Sequence, residues 1–172
     1  MVVVRDGTAA DLPAVAAIYT HYVLKTTVTF NIHVRTPREW QERHQVRVVD
    51  GPYHLLVAER DNGVVGFTET SQFRPKPAYD RTCEVTIYTA PDTSGAGVGT
   101  ALYDALFQRL TGGRFHRAIA LVALPNDASV RFHQRHGFVH RGTLTEVGHK
   151  FGRWLDVAFY ERALDEPDQR RP

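Results

Sequence analysis

Residues 82–110, TCEVTIYTAPDTSGAGVGTALYDALFQRL, decide the fold: a β-branched run, a glycine-rich turn and an amphipathic helix follow one another without a break. Gly95, Gly97 and Gly99 allow a tight bend and a close approach of backbone to ligand. The first amides of the helix point at that bend with the positive end of the helix dipole behind them. Such an arrangement is an anion cradle suited to a phosphate-bearing ligand. Taken in isolation, SGAGVG reads equally well as a plain strand-to-helix connection.

Upstream of this stretch, residues 2–4 read as a first strand. Thr8 with Asp11 makes a capping-box-like helix start, after which Leu12, Val15, Ala16, Ile18, Tyr19 and Tyr22 recur at helical spacing. Thr36-Pro37-Arg38-Glu39 opens a second helix with an N-cap threonine, a proline at the first helical position and a glutamate three residues after the cap. That helix is expected to run to about residue 49, where Asp50-Gly51-Pro52 stops it. Residues 54–59 and 64–70 are β-rich, with Asn62-Gly63 as their hairpin turn. Downstream, a helix over 97–110 ends at Gly112-Gly113. A strand over 117–124, a short helix over 126–136 and strands over 138–140 and 157–161 follow. The expected order is βααβββαβαββ, an α/β fold with a mixed, mostly antiparallel sheet flanked by helices.

The chain has 172 residues, enough for one self-supporting core, taken as residues 1–164 with a polar tail over 165–172. Hydrophobic and charged contents of 42% and 23% are those of a globular protein, and a net charge of +2 argues against a dedicated nucleic-acid binder. A single cysteine, Cys83, excludes an internal disulfide and a cysteine-rich metal site, and no metal is expected. No apolar run reaches the roughly 18 residues of a membrane span, and the first residues lack the apolar core of a signal peptide. A cytoplasmic protein without a membrane partner is therefore expected.

The element order and glycine turn resemble the GNAT superfamily, which transfers acetyl groups from acetyl-CoA to amines. Five segments resemble one branch of it, the phosphinothricin and methionine sulfoximine acetyltransferases: residues 20–30 (THYVLKTTVTF), 37–40 (PREW), 78–88 (AYDRTCEVTIY), 124–138 (LPNDASVRFHQRHGF) and 147–157 (VGHKFGRWLDV). They lie in the family's order from residue 20 to residue 157.

The resemblance implies an acetyl-CoA-dependent N-acetyltransferase that acts by direct transfer in a ternary complex on the α-amine of a small amino-acid-like molecule. Phosphinothricin, methionine sulfoximine and methionine sulfone are the implied substrates. Another amine, such as a protein N-terminus or a polyamine, and a non-catalytic acyl-CoA sensor are the alternatives. Glu84, in the strand that feeds the glycine turn, matches the family's general base. His133, on the helical face of Asn126 and Ser129, matches a proton donor to the departing thiolate.

By the same resemblance, backbone amides of Ile87, Tyr88 and Thr89 face the thioester and pantetheine arm, where the sheet splays. Amides over Ser94, Gly95, Ala96, Gly97, Val98, Gly99 and Thr100 hold the pyrophosphate. Ser94 and Ala96 stand where the superfamily usually carries an arginine or glutamine and a basic residue, a loss of about 1.5–3 kcal/mol per charge-assisted contact. Arg131 or Arg135 is the expected substitute. The loop bearing Arg74, Lys76 and Tyr79 is implied to bind substrate, and Lys150, Phe151 and Arg153 to lie near the substrate pocket and a homodimer interface. Phe30 and Trp40 read as pocket wall or core.

Overall fold

The computed structural model describes residues 1–93 and 97–164. Seven strands form one sheet in the order β1-β2-β3-β4-β5-β7-β6, and the element order is the expected one. β1 (Val3–Asp6), β2 (Leu55–Arg60), β3 (Gly63–Gln72) and β4 (Thr82–Thr89) are antiparallel neighbours. β5 (Arg117–Ala123) runs parallel to β4, and β7 (Arg153–Ala163) and β6 (Val139–Lys150) complete the sheet antiparallel.

Two cores sit on opposite faces, as the two-residue alternation of strand side chains requires. On one face, α3 (Val98–Leu110) buries Leu102, Tyr103 and Leu106 against Cys83, Val85 and Ala118. On the other, α1 (Leu12–Lys25) and α2 (Pro37–His44) pack Val15, Tyr19 and Trp40 against Val57 and Phe67. Trp40 is thus core. Both predicted helix starts carry their caps: the Asp11 carboxylate accepts from the Thr8 amide, ahead of a 3-10 turn, and that of Glu39 accepts from the Thr36 amide.

Boundaries moved where local chemistry differed from the simplest pattern. The β2–β3 turn is Asp61-Asn62, both at positive φ (52° and 65°), so Gly63 already begins β3. α2 stops at His44 and continues as a wider turn, Gln45–Val49, in which the Asp50 amide donates to Gln45 O five residues back. β6 and β7 are far longer than the short runs expected. Register shifts between His140 and Gly142 and between Leu144 and Gly148, together with largely exposed side chains along β6, erase the alternation that sequence reading depends on.

The feature that shapes the site is the parting of β4 and β5. They pair only from Thr82–Arg117 to Glu84–Ile119. Beyond Glu84, β4 remains bonded to β3 as far as Thr89 while β5 follows β7. The sheet therefore opens into a V with a free β4 edge.

Candidate active site

The V is the floor of a cavity of about 1340 Å³. At one end lies the start of α3, whose N-cap Gly97 has φ 75°, a left-handed conformation that costs glycine nothing. Ile87, Tyr88, Thr89, Gly97, Val98, Gly99 and Thr100 all border the cavity, as do Asn126 and Ser129 from α4 (Asp127–Arg135). Asn126 caps α4, its side-chain oxygen accepting from the Ser129 amide at 3.1 Å. Of the two cations expected to replace the missing basic contacts, Arg135 borders the cavity and Arg131 does not. Ser94, Gly95 and Ala96 lie outside the described residues.

Glu84 lines the same cavity where β4 and β5 separate. Among the described residues, no group donates a hydrogen bond to its carboxylate. Burial pushes its pKa up, opposed by the positive charges of Arg74, Arg43 and Arg47. Its sequence neighbour Cys83 faces the α3 core, fully buried, with its thiol pushed up to about 12 by burial. A thiolate nucleophile is therefore not on offer.

His133 touches the cavity but turns both ring nitrogens inward. Nδ1 lies 2.8 Å from Ser129 O, which requires a hydrogen on Nδ1, so Nε2 accepts from the Tyr103 hydroxyl at 2.9 Å. The Ser129 hydroxyl sits 3.2 Å from the same Nδ1. Burial lowers the imidazole pKa, more than the Ser129 carbonyl raises it, so the ring is neutral in the fold. Glu84 and His133 approach from opposite faces of the sheet, across the V.

Phe30 is wall, as one of its two readings had it. Its ring covers Gly148 so closely that a Cβ there would collide with it. Lys150, in contrast, does not reach the cavity. It is 3% exposed, and its ammonium donates to Thr29 O at 2.8 Å and Tyr22 O at 3.4 Å, fastening the loop that carries Phe30. Lys150→Met keeps the stem and deletes the donor. It is expected to cost roughly 1–3 kcal/mol by denaturant unfolding, because Thr29 O is left buried without its partner.

Five other expected substrate contacts lie outside the cavity in this chain. Arg74 stacks over Phe73 at 4.5 Å and donates to Phe73 O, Lys76 precedes the exposed turn Pro77–Tyr79, and Tyr79 meets Phe73 edge-on. Phe151 occupies the tight β6–β7 turn at φ 51° and points outward, 57% exposed, beside exposed Arg153.

Sequence reading did not single out three cations of the cavity. Arg35, Arg43 and Arg47 border the cavity together with Glu69. Arg43 forks onto Glu69, the one carboxylate of β3. The signal was present in the i,i+4 spacing of Arg43 and Arg47, which puts both on one helical face.

Residues 15–138 match the Acetyltransferase (GNAT) family. The chain belongs to that family. Over 163 residues it is 45% identical to a phosphinothricin N-acetyltransferase of Streptomyces coelicolor, covering 94% of this chain and 95% of that one. It is 36% identical to an L-methionine sulfoximine/L-methionine sulfone acetyltransferase of Pseudomonas aeruginosa, at 94% coverage of each. The solved structure of a phosphinothricin acetyltransferase from Sinorhizobium meliloti in complex with acetyl-CoA superposes with a TM-score of 0.90 at 32% identity, covering 99% and 92% of the two chains.

The acetyltransferase takes acetyl-CoA as cosubstrate, and the cavity suits it: an open helix start for phosphates, a free strand edge of backbone donors and acceptors, and room between them. Among the described residues, no group of His, Cys, Asp and Glu is placed to hold a metal ion.

Proposed function

We propose that this acetyltransferase acetylates the α-amine of a small amino-acid-like substrate of the phosphinothricin, methionine sulfoximine or methionine sulfone type, with Glu84 as general base. The observation that carries the proposal is the unpartnered Glu84 carboxylate at the point where β4 and β5 part. An α-amino group has a pKa of about 7.7–8.0 even in a peptide and is largely protonated at neutrality, so a base of raised pKa beside it is useful.

Bound acetyl-CoA supplies the acetyl group as a thioester. The β4 amides from Ile87 to Thr89 are the donors proposed for the charge that develops on its carbonyl oxygen. Glu84 takes the amine proton, directly or through a water. His133 is the proposed relay of the proton to the departing thiolate: neutral in the fold, the ring gives up a proton only as it takes up the one released by the amine. The Ser129 hydroxyl, 3.2 Å from Nδ1, lies beside that path.

The arginines at the substrate end repel polyamines, which favours an amino-acid-like substrate over that alternative. The chain is proposed to work in the cytoplasm as a homodimer. Leu144, Val147, Phe151 and Trp154 on the β6–β7 hairpin are 48–64% exposed, a patch suited to a second copy.

Thiol release from acetyl-CoA over a panel of amines tests the reading. Acetylation of phosphinothricin or methionine sulfone at micromolar to millimolar KM is expected. Binding of CoA with no amine acetylated would make the chain an acyl-CoA sensor instead.

A further inference from the structure

Glu84 has no hydrogen-bond donor among the described residues, yet cations stand around it. Arg43 comes from α2, Arg47 from the turn after it and Arg74 from the loop after β3, while Arg35, just ahead of the α2 cap, borders the same cavity. Tyr19 and Tyr22 of α1 and Tyr88 of β4 add hydroxyls, and β5 and β7 bring no titratable side chain to the cavity. Asp104, His133, Arg135 and His136 border it from α3 and the α4 segment, on the opposite face of the sheet. The one other carboxylate on Glu84's own face of the cavity is Glu69.

The β3–β4 register sets Glu69 opposite Thr86 and Ser71 opposite Glu84. Residues two apart on a strand share a face, so Glu69 is a diagonal neighbour of Glu84, about 7–8 Å away and within reach of a long side chain. Glu69 is buried, and Arg43 forks onto it with both side chains largely withdrawn from solvent. The guanidinium that Glu69 holds is thus one that Glu84 would otherwise attract. A carboxylate and a guanidinium pair strongly where water is scarce, and a paired Glu84 would be a poor base. Arg74 is drawn off in a similar way, stacked over Phe73 and donating to its carbonyl.

We propose that Glu69 is a positioning residue for the reaction: by holding Arg43 it keeps that guanidinium off Glu84 and leaves the base unpaired. The inference rests on Glu84 as general base and adds what keeps it available. Burial raises the Glu84 pKa, the positive charge of Arg43 lowers it and the negative charge of Glu69 raises it, the directions that this arrangement requires.

Glu84→Gln identifies the limb of the kcat/KM profile against pH that belongs to Glu84, and the position of that limb is the readout. Glu69→Gln is expected to shift it down by about 1 pH unit or more, as an uncompensated cation within about 4–6 Å of a carboxyl does. Arg43→Gln is expected to shift it up, because Glu69 is then an unpaired like charge beside the base. The double variant removes both charges and is expected to return the limb close to its wild-type position. Arg43→Lys keeps the charge and is expected to leave the limb in place. An ion pair that only fastens α2 to the sheet would lower the unfolding midpoint of these variants without moving the limb, and that result would overturn the proposal. So would a double variant whose limb stays where Glu69→Gln put it.

NMR titration of the side-chain carboxyls in glutamate-labelled protein separates this failure from failure of the base assignment. The Glu84 signal is identified by its absence in Glu84→Gln. A Glu84 pKa that falls in Glu69→Gln and recovers in the double variant supports the proposal even if the limb does not belong to Glu84, and an unchanged titration overturns it. Should Glu69→Gln not fold, Arg43→Gln decides: an upward shift of the Glu84 signal supports the proposal, and none refutes it.

Discussion

Glu84→Gln is expected to lower kcat about 10²–10⁴-fold at neutral pH, the range that general-base catalysis contributes. The loss shrinks at high pH, where the amine is already free. The wild-type kcat/KM climbs as pH rises through the elevated pKa of Glu84, and that limb disappears in the variant. An equal loss at every pH would remove Glu84 from the role of base.

The same substitution has an opposite effect on stability. A carboxyl whose pKa is raised by folding is harder to ionise in the native state. Above its unfolded value of about 4.3, ionisation therefore costs stability, and the cost grows until pH reaches the folded value. Glu84→Gln removes the charge and keeps the shape. It is expected to raise Tm at pH 7–8 and to have little effect near pH 4, as thermal unfolding across pH will read. Reduced turnover with increased stability is the signature of a strained functional carboxylate, whereas a structural one loses both.

His133→Ala is expected to lower stability by roughly 2–4 kcal/mol, from the cavity left behind and from a Tyr103 hydroxyl buried without its acceptor. For a chain of this length that is a fall in Tm of about 4–16 °C. Tyr103 is fully buried and packs edge-on against Phe107 and His133. The double variant His133→Ala/Tyr103→Phe removes both polar partners, so the losses are expected to be non-additive by about 0.5–3 kcal/mol in a double-mutant cycle. Additive losses would mean that the hydrogen bond between them carries little.

The pH dependence of His133 follows from its lowered pKa. An imidazole kept neutral by the fold gives up stability as pH falls below its unfolded value of about 6.5, because the unfolded chain takes the proton first. That acid-side loss is expected to disappear in His133→Leu. A kinetic role in protonating the thiolate would appear separately, as a drop in kcat larger than the stability loss explains at a temperature where the variant is fully folded.

Much of this fold was legible because the decisive signals are local. The caps at Thr8 and Thr36, the glycine at the start of α3, the β-branched runs and the Asn126 cap each depend on a few neighbouring residues. The long β6–β7 hairpin was not legible, since its pairing survives two register shifts and its outer strand lacks an apolar face. The five segments that carried the family resemblance reached the correct family without tertiary information.

The site divides along the same physical line. Sequence alone determined the element order and the helix start at Gly97, because backbone propensity acts over short distances, and the family resemblance put forward Glu84, Asn126 and His133, all of which border the cavity. Only the tertiary structure decided which side chains meet. The parting of β4 from β5 after Glu84, the locking of His133 by Tyr103, the burial of Lys150 under the Thr29 loop, and the pairing of Arg43 with Glu69 all depend on distant segments. Packing sets those contacts, and a linear pattern does not encode the direction in which a side chain finds its partner.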